Sequence, residues 1–248
     1  MDPKDKVALV TGGGTGLGKE IGLNLAAAGA LVAVNYSRSA GEAAETASEI
    51  ESVGTEAMTV KADVSQSADV QRMVDEVVER FGGIDILINN AGTTVFVPFD
   101  DLEGMTEEDW DEIMAVNLRG PFLCSKAVAP IMKDRGAGKI VNISSTGGIR
   151  PSGSCIAYSV SKAAENMLGR CLAIAVAPQI QVNNVAPGLL DTRWGRKWGD
   201  KATNDYIGRA LLERLPELGD VADAVMYLVR NDSVTAQTVI VDAGVLTY

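Results

Sequence analysis

The sequence predicts an α/β protein with an open, doubly wound parallel sheet of about seven strands and helices on both faces. Short apolar segments recur along the chain, and helical patterns lie between most of them. These segments are continuous apolar runs, which favour strands buried on both faces of a parallel sheet. The stretches between them are long enough for crossovers between parallel strands. Because no repeat or linker interrupts the pattern, we expect residues 1–248 to form a single domain.

The predicted elements follow one another along the whole chain. Strands are predicted over residues 6–10, 31–34, 56–60, 84–88, 139–143, 180–185 and 238–241. Helices are predicted after residue 18 to about 29, over 40–53, 67–81 and 110–132, through Tyr158 and Lys162 to about 177, and over 221–229. Residues 188–215 carry many charges, and we expect them to be irregular.

Composition excludes several classes of function. The formal charge of −11 disfavours nucleic-acid binding, which needs a basic face. No apolar run is long enough for a membrane-spanning helix, and the polar start of the chain does not resemble a secretory signal. The three cysteines form no C-x-x-C pair, so we expect no disulfide and no metal site. A cytoplasmic protein without a membrane or nucleic-acid partner is the expectation.

Candidate catalytic residues lie between Ser145 and Lys162. Tyr158 and Lys162 are four residues apart, which stacks both side chains on one face of a helix. An ammonium near a phenol favours the phenolate form, and such a phenol can exchange a proton with a carbonyl or alcohol oxygen. Ser145 can add a hydrogen bond to the same oxygen. Taken alone the pair is a weak signal, because an amphipathic surface helix gives the same spacing.

A glycine-rich stretch follows the first predicted strand. Gly12, Gly16 and Gly18 there allow a tight turn and let backbone N–H groups approach a phosphate at the start of the next helix. The spacing differs from the G-x-G-x-x-G fingerprint, and a merely flexible turn is the alternative.

The residues after the second strand bear on the choice between NADP and NAD. A dinucleotide site usually places a carboxylate there to hold the ribose 2′-hydroxyl, but the chain reads Asn35, Tyr36, Ser37, Arg38 and Ser39. An arginine can bind a 2′-phosphate through two hydrogen bonds, so the sequence favours NADP over NAD. A solvated surface arginine is the alternative interpretation of Arg38.

Two further loops follow strands. Asp63-Val64 can accept a hydrogen bond from an adenine amine or can cap the next turn. The small residues of 89–92, Asn-Asn-Ala-Gly, can lie against a cofactor, while the amides hold the turn together.

Together these motifs resemble the short-chain dehydrogenase/reductases in their short single-domain form, over about residues 5–244. The resemblance rests on the glycine loop, Asp63-Val64, the 89–92 loop, Asn117, Ser145, Tyr158-x-x-x-Lys162, Pro187-Gly188 and Thr192. It implies a Rossmann fold in which Tyr158 donates or accepts the proton. It also implies that Lys162 assists Tyr158 and binds the nicotinamide ribose, that Ser145 holds the reacting oxygen, and that Asn117 holds a water linking Lys162 to solvent.

The resemblance also implies a cofactor site in which Thr192 and the backbone after Pro187-Gly188 bind the carboxamide. Its full set is Gly12, Thr15, Gly16, Leu17, Gly18, Tyr36, Ser37, Arg38, Asp63, Val64, Asn90, Ala91, Gly92, Tyr158, Lys162, Pro187, Gly188, Leu190 and Thr192. The implied activity is hydride transfer between NADP(H), preferred over NAD(H), and a ketone or secondary alcohol. A 3-oxoacyl-thioester reductase is one form of it, and a polyol, sugar or cyclic-alcohol dehydrogenase is the alternative. A non-catalytic dinucleotide-binding sensor is the alternative from another class.

Two further expectations concern the substrate and the assembly. Residues 188–215 resemble the family's substrate lid, where Trp194 and Trp198 either cover an apolar ligand or anchor packing. An acyl-carrier or CoA partner needs basic residues at the pocket, and the candidates are Arg150, Arg193, Arg196 and Lys197. The helices after Asn117 and through Tyr158 carry apolar residues on more than one face, which predicts a homo-oligomer, a tetramer rather than a dimer.

Overall fold

Seven parallel strands form the centre of the protein, whose computed structural model describes residues 1–247. They are β1 Val7–Val10, β2 Leu31–Tyr36, β3 Ala57–Lys61, β4 Ile86–Asn89, β5 Gly138–Ile143, β6 Ile180–Pro187 and β7 Thr238–Val241. The strand order is β3-β2-β1-β4-β5-β6-β7, and every neighbouring pair is parallel. The predicted doubly wound parallel sheet is confirmed.

Eight α-helices connect the strands of the described chain. They are α1 Gly16–Ala27, α2 Ala40–Ser52, α3 Ser67–Phe81, α4 Glu107–Met114, α5 Gly120–Asp134, α6 Ile156–Val176, α7 Gly199–Ile207 and α8 Leu218–Arg230. The sequence pattern was continuous over 110–132, but the structure divides it. A π-helical turn at Ala115–Arg119 separates α4 from α5. The expectation of an irregular 188–215 segment was wrong in part, because this segment contains a 3₁₀ turn at Gly195–Trp198 and α7.

The core has two apolar layers, one on each face of the sheet. Helices α1, α2 and α8 cover one face with residues such as Ile21, Ile50 and Val225, and α3, α5 and α6 cover the other with residues such as Met73 and Val128. Strands β1, β4 and β5 are buried along their whole length, as their continuous apolar sequences predict.

An asparagine ladder ties together the carboxyl ends of three neighbouring strands. Asn89, Asn142 and Asn184 are in register on β4, β5 and β6. The Nδ2 of Asn89 donates to the Oδ1 of Asn142 at 2.8 Å, and the Nδ2 of Asn142 donates to the Oδ1 of Asn184 at 2.9 Å. Because the loops after these strands carry predicted site residues, the ladder fixes the base from which the site is built.

Within residues 1–247, none of the helices combines the length and the apolar character that a bilayer crossing requires.

Candidate active site

The carboxyl ends of the strands open into one long cleft with a volume of about 1770 Å³. All of the cofactor-binding residues predicted from the sequence line this cleft, and so does Ser145. Asn117 is fully buried behind it. In a doubly wound sheet, ligands bind at this edge, where the order of the strands reverses between β1 and β4.

The glycine loop lines the cleft. Gly12 and Gly16 have φ angles of 60° and 55°, which glycine adopts without steric cost. At Gly18 an added Cβ would lie 2.5 Å from the Nδ2 of Asn90 and closer still to the carbonyl oxygen of Gly12. Thr15 precedes α1 without a capping hydrogen bond from its side chain, so the first N–H groups of this helix are free to meet an anion. This loop fits a dinucleotide pyrophosphate.

Arg38 also lines the cleft. Its side chain is 89% exposed, and its Nη2 lies 3.7 Å from the Oε1 of Glu112 on α4. Ser37 and Tyr36 line the cleft beside it. Asn35, the residue before Tyr36 on β2, is buried, and its side chain bonds to backbone groups. Its Oδ1 accepts from the N–H of Gly12 at 3.2 Å, and its Nδ2 donates to the carbonyl of Ala62 at 3.1 Å.

The loops after β3 and β4 brace the cleft through their own polar groups. Asn90 donates from Nδ2 to the carbonyls of Thr11 and Gly12 at 3.0 and 3.1 Å. The Oδ1 of Asp63 accepts from the backbone N–H and the hydroxyl of Ser65 at 2.9 and 2.7 Å. Asp63 therefore caps the following turn, and the amides of the 89–92 segment hold their turn together.

Tyr158 and Lys162 both lie on α6 and face the cleft. The Lys162 ammonium is buried and donates to the carbonyl of Ile143 and to Oε2 of Glu165, each at 2.8 Å. Burial lowers the pKa of Lys162, but the negative charges of Glu165 and Tyr158 outweigh this and leave it above its ordinary value. Burial raises the pKa of Glu165 to about 7, against the lowering effect of Lys162.

The two serines after β5 differ in their surroundings. Ser144 is buried, and its hydroxyl donates to the carbonyl of Lys162 at 3.1 Å. Ser145 is partly exposed to the cleft, and its Oγ accepts from the N–H of Gly147 at 3.1 Å. With its oxygen accepting there, Ser145 keeps its hydroxyl hydrogen for another acceptor.

Asn117 lies within the π-helical turn between α4 and α5. Its Oδ1 accepts from the N–H of Thr93 at 2.8 Å, and its Nδ2 donates to the carbonyl of Thr93 and to Oγ of Ser161. The side chain thus joins the loop after β4 to the helix that carries Tyr158. Such π turns are frequent at functional sites.

The segment that follows β6 covers the cleft. Trp194 packs edge-to-face against Tyr158, with ring centroids 5.9 Å apart, and Trp198 packs in the same way against Phe96 at 5.6 Å. Arg193 pairs with Glu42 on α2 at 3.1 Å. The side chain of Thr192 lies over Gly16, which connects the cover to the glycine loop.

Comparison with known proteins agrees with this geometry. A family model described as short chain dehydrogenase matches residues 6–203. The chain is 40% identical over 244 residues to a protein named as ketoacyl reductase 2 of the granaticin polyketide synthase of Streptomyces violaceoruber, covering 98% of this chain and 96% of that one. It is 35% identical over 243 residues to a 3-oxoacyl-[acyl-carrier-protein] reductase of Staphylococcus epidermidis, covering 97% and 98%. The crystal structure of a short chain dehydrogenase from Burkholderia cenocepacia in complex with NADP superposes with a TM-score of 0.91 at 34% identity, covering 99% of each chain.

The chain belongs to the short-chain dehydrogenase/reductase family. Members of this family use a nicotinamide dinucleotide and act on small molecules. As a short-chain dehydrogenase/reductase, the protein is an NAD(P)-dependent oxidoreductase that acts on CH–OH or C=O groups.

Several residues that bear on the site of this short-chain dehydrogenase/reductase do not follow from its motifs. Glu165 had a signal, because a carboxylate three residues after Lys162 lies on the same side of a helix. No sequence pattern indicated the contact of Glu112 with Arg38 or that of Asn35 with Gly12, because each contact joins residues that are distant in the chain.

Proposed function

We propose that this protein is an NADP-preferring ketone reductase in which Tyr158 is the general acid. The observation that carries the proposal is the position of Tyr158. Its ring lies in the same cleft as the glycine loop, one helical turn before a buried lysine. A proton donor and a phosphate-binding loop in one cleft suit hydride transfer coupled to protonation.

A nicotinamide cofactor held in this cleft would supply the hydride for the carbonyl carbon. Tyr158 donates its hydroxyl proton to the carbonyl oxygen, and the Ser145 hydroxyl donates a hydrogen bond to the same oxygen as negative charge develops on it. Lys162 stabilises the phenolate that remains. In the reverse direction Tyr158 accepts the alcohol proton. Asn117 positions the helix of Tyr158 through Ser161, and we infer that water near it returns protons to Lys162.

The proposed cofactor site runs along the whole cleft. The glycine loop and the N–H groups of α1 bind the pyrophosphate, Ser37 and Arg38 bind the 2′-phosphate, and Asp63 with Val64 lies at the adenine. The remaining cofactor residues line the nicotinamide half, and these are Asn90, Ala91, Gly92, Tyr158, Lys162, Pro187, Gly188, Leu190 and Thr192.

For the substrate we favour a 3-oxoacyl thioester. The names of the two curated relatives support this choice, since one is a ketoacyl reductase and the other a 3-oxoacyl-[acyl-carrier-protein] reductase. Arg193, on the segment that covers the cleft, lines the cleft and suits an anionic carrier group, for which it would exchange Glu42. A polyol, sugar or cyclic-alcohol dehydrogenase is the second candidate, favoured by the Trp194 indole over Tyr158, which suits a compact ring.

We also propose one catalytic domain over 1–248 with a substrate lid at about 188–215, in a homotetramer located in the cytoplasm. Helix α6 supports the assembly, because Ile174 and Met167 on it are 81% and 56% exposed. The two side chains lie seven residues apart and share one face of the helix, and an apolar patch on such a face supports contact with another subunit.

A cofactor-consumption assay tests the reaction. NADPH oxidation is followed with an acetoacetyl thioester, a linear ketone, a cyclic ketone and a keto sugar, with NADH as the matched cofactor. We expect turnover with NADPH and the highest kcat/KM for the thioester. Turnover confined to the cyclic ketone or the keto sugar favours the second candidate. Tight NADPH binding without turnover of any ketone or corresponding alcohol contradicts the reductase and favours a dinucleotide sensor.

A further inference from the structure

Glu165 is a buried carboxylate that the mechanism above does not use. It lies three residues after Lys162 on α6, and its Oε2 is 2.8 Å from the Lys162 Nζ. Glu165 is 1% exposed and Lys162 4% exposed. Glutamate is almost never buried to this extent unless it is paired, so the presence of this side chain inside the protein has a specific reason.

The hydrogen bonds of Lys162 show what the carboxylate does geometrically. An ammonium group has three N–H donors. One donates to the carbonyl of Ile143 at the end of β5 and one to Glu165, both at 2.8 Å. The two acceptors come from a strand and a helix, which are rigid elements. They hold a long, flexible side chain in one position, and one N–H direction remains for a group in the cleft.

The charge of Glu165 has a second consequence. Among the described residues, Lys162 is the charged group that acts on Glu165, and Glu165 and Tyr158 are the groups that act on Lys162. A free cation beside a phenol favours the phenolate form strongly. A carboxylate at 2.8 Å from that cation opposes part of its field. Tyr158 therefore experiences a smaller positive field than an unpaired Lys162 would produce.

We propose that Glu165 is a positioning residue of the catalytic site, which holds the Lys162 ammonium against the end of β5 and offsets part of its charge at Tyr158. The inference rests on the proposed function for the roles of Lys162 and Tyr158. The motif that identifies the site contains no counterpart of it, because Tyr-x-x-x-Lys ends at residue 162.

Two substitutions separate the geometric role from the charge. Glu165→Gln keeps an oxygen acceptor of the same size and removes the charge, whereas Glu165→Leu removes both. Glu79→Gln, at an exposed position of α3, is the matched control. The readouts are the Kd of NADPH by calorimetry, kcat and KM for ketone reduction, and the pH profile of kcat between pH 6 and 10.

We expect Glu165→Leu to weaken NADPH binding and lower kcat, each by about tenfold, because Lys162 loses a charge-assisted acceptor. Glu165→Gln should restore binding to within about threefold of the parent. Because this variant removes the negative charge beside the Lys162 ammonium, the pH profile of its kcat should differ from that of the parent, a change that a purely structural role would not produce. Glu79→Gln should match the parent in all readouts.

A Glu165→Leu protein with the urea midpoint of the parent and with unchanged Kd and kcat overturns the proposal. If Glu165→Leu does not fold, Glu165→Gln decides, and a pH profile identical to that of the parent overturns it. If the parent binds NADPH but reduces no ketone, the proposed reaction fails. In that case the Kd values of NADPH for Glu165→Gln and Glu165→Leu still decide whether Glu165 holds Lys162.

Discussion

Cofactor selection is expected to depend on Arg38, and Arg38→Ala tests this. A hydrogen bond between a guanidinium and a phosphate contributes about 1.5–3 kcal/mol, which is about ten- to a hundredfold in kcat/KM for NADPH over NADH. In the structure the carboxylate of Glu112 competes with a 2′-phosphate for Arg38, because its Oε1 lies 3.7 Å from Nη2 of Arg38. Exposed ion pairs contribute only about 0.2–1 kcal/mol, so a 2′-phosphate displaces Glu112 from Arg38.

Three substitutions should change the cofactor preference, two toward NADH and one toward NADPH. Arg38→Ala should lower the NADPH/NADH ratio of kcat/KM about ten- to a hundredfold and leave NADH use nearly intact. Glu112→Gln should raise the ratio by up to about fivefold, because the competing carboxylate is gone. Tyr36→Asp should reverse the preference, since it adds an acceptor for the 2′-hydroxyl and a charge that repels phosphate. Arg230→Ala, at an exposed position of α8 that does not line the cleft, is the control.

The assay is steady-state kinetics with both cofactors at low and at moderate ionic strength, with one ketone throughout. Screening should reduce the effect of Glu112→Gln at the higher ionic strength. Equal kcat/KM values for NADPH and NADH in the parent, or an unchanged ratio in Arg38→Ala, would refute Arg38 as the selecting residue.

Three further predictions concern the loop, the buried pair and the assembly. Gly18→Ala should lower the affinity for NADPH at least tenfold in calorimetry, because the added Cβ would lie 2.5 Å from the Asn90 Nδ2. Gly41→Ala is the control and should leave the affinity unchanged, because no atom lies within 4 Å of its added Cβ. Equal affinities of the two variants contradict a closely packed loop. The pKa of Glu165 is raised to about 7 from 4.5, so the folded state retains a proton that the unfolded chain has lost between these values. This contribution to the free energy of unfolding is present at low pH and is lost as the pH rises from about 4.5 to 7. In urea unfolding, Glu165→Gln should not show this loss of stability between the two pH values. The same pH dependence of stability in both proteins contradicts the prediction. Ile174→Glu should break the proposed tetramer into dimers or monomers in light scattering, because Ile174 is 81% exposed on α6. A monomeric parent at micromolar concentration contradicts the proposed assembly.

The sheet and the cleft could be predicted because their signals are local in the sequence. Buried parallel strands are continuous apolar runs, and the residues that follow them meet at one edge of the sheet. Gly12, Asn90 and Tyr158 consequently line one cleft, as the loop positions predict. Ser144 and Ser145 both border that cleft, but Ser144 is buried with its hydroxyl bonded to the Lys162 carbonyl, whereas Ser145 is partly exposed.

The contacts that adjust the site could not be predicted, because they join distant residues. The pairing of Arg38 with Glu112 depends on where α4 lies, and the hydrogen bond from Gly12 to Asn35 depends on how the glycine loop packs against the end of β2. The π-helical turn around Asn117 was also missed. Its apolar spacing is close to that of an α-helix, and the extra residue in the turn leaves no mark in the sequence pattern.

The role of Tyr158 as the proton donor is tested most directly by Tyr158→Phe. The substitution removes the hydroxyl and keeps the ring that packs against Trp194. We predict NADPH binding by calorimetry within about threefold of the parent and a loss of roughly 10²–10⁴ in kcat for ketone reduction. Turnover at the parent rate in a Tyr158→Phe protein that still binds NADPH contradicts the assignment of Tyr158 as the general acid.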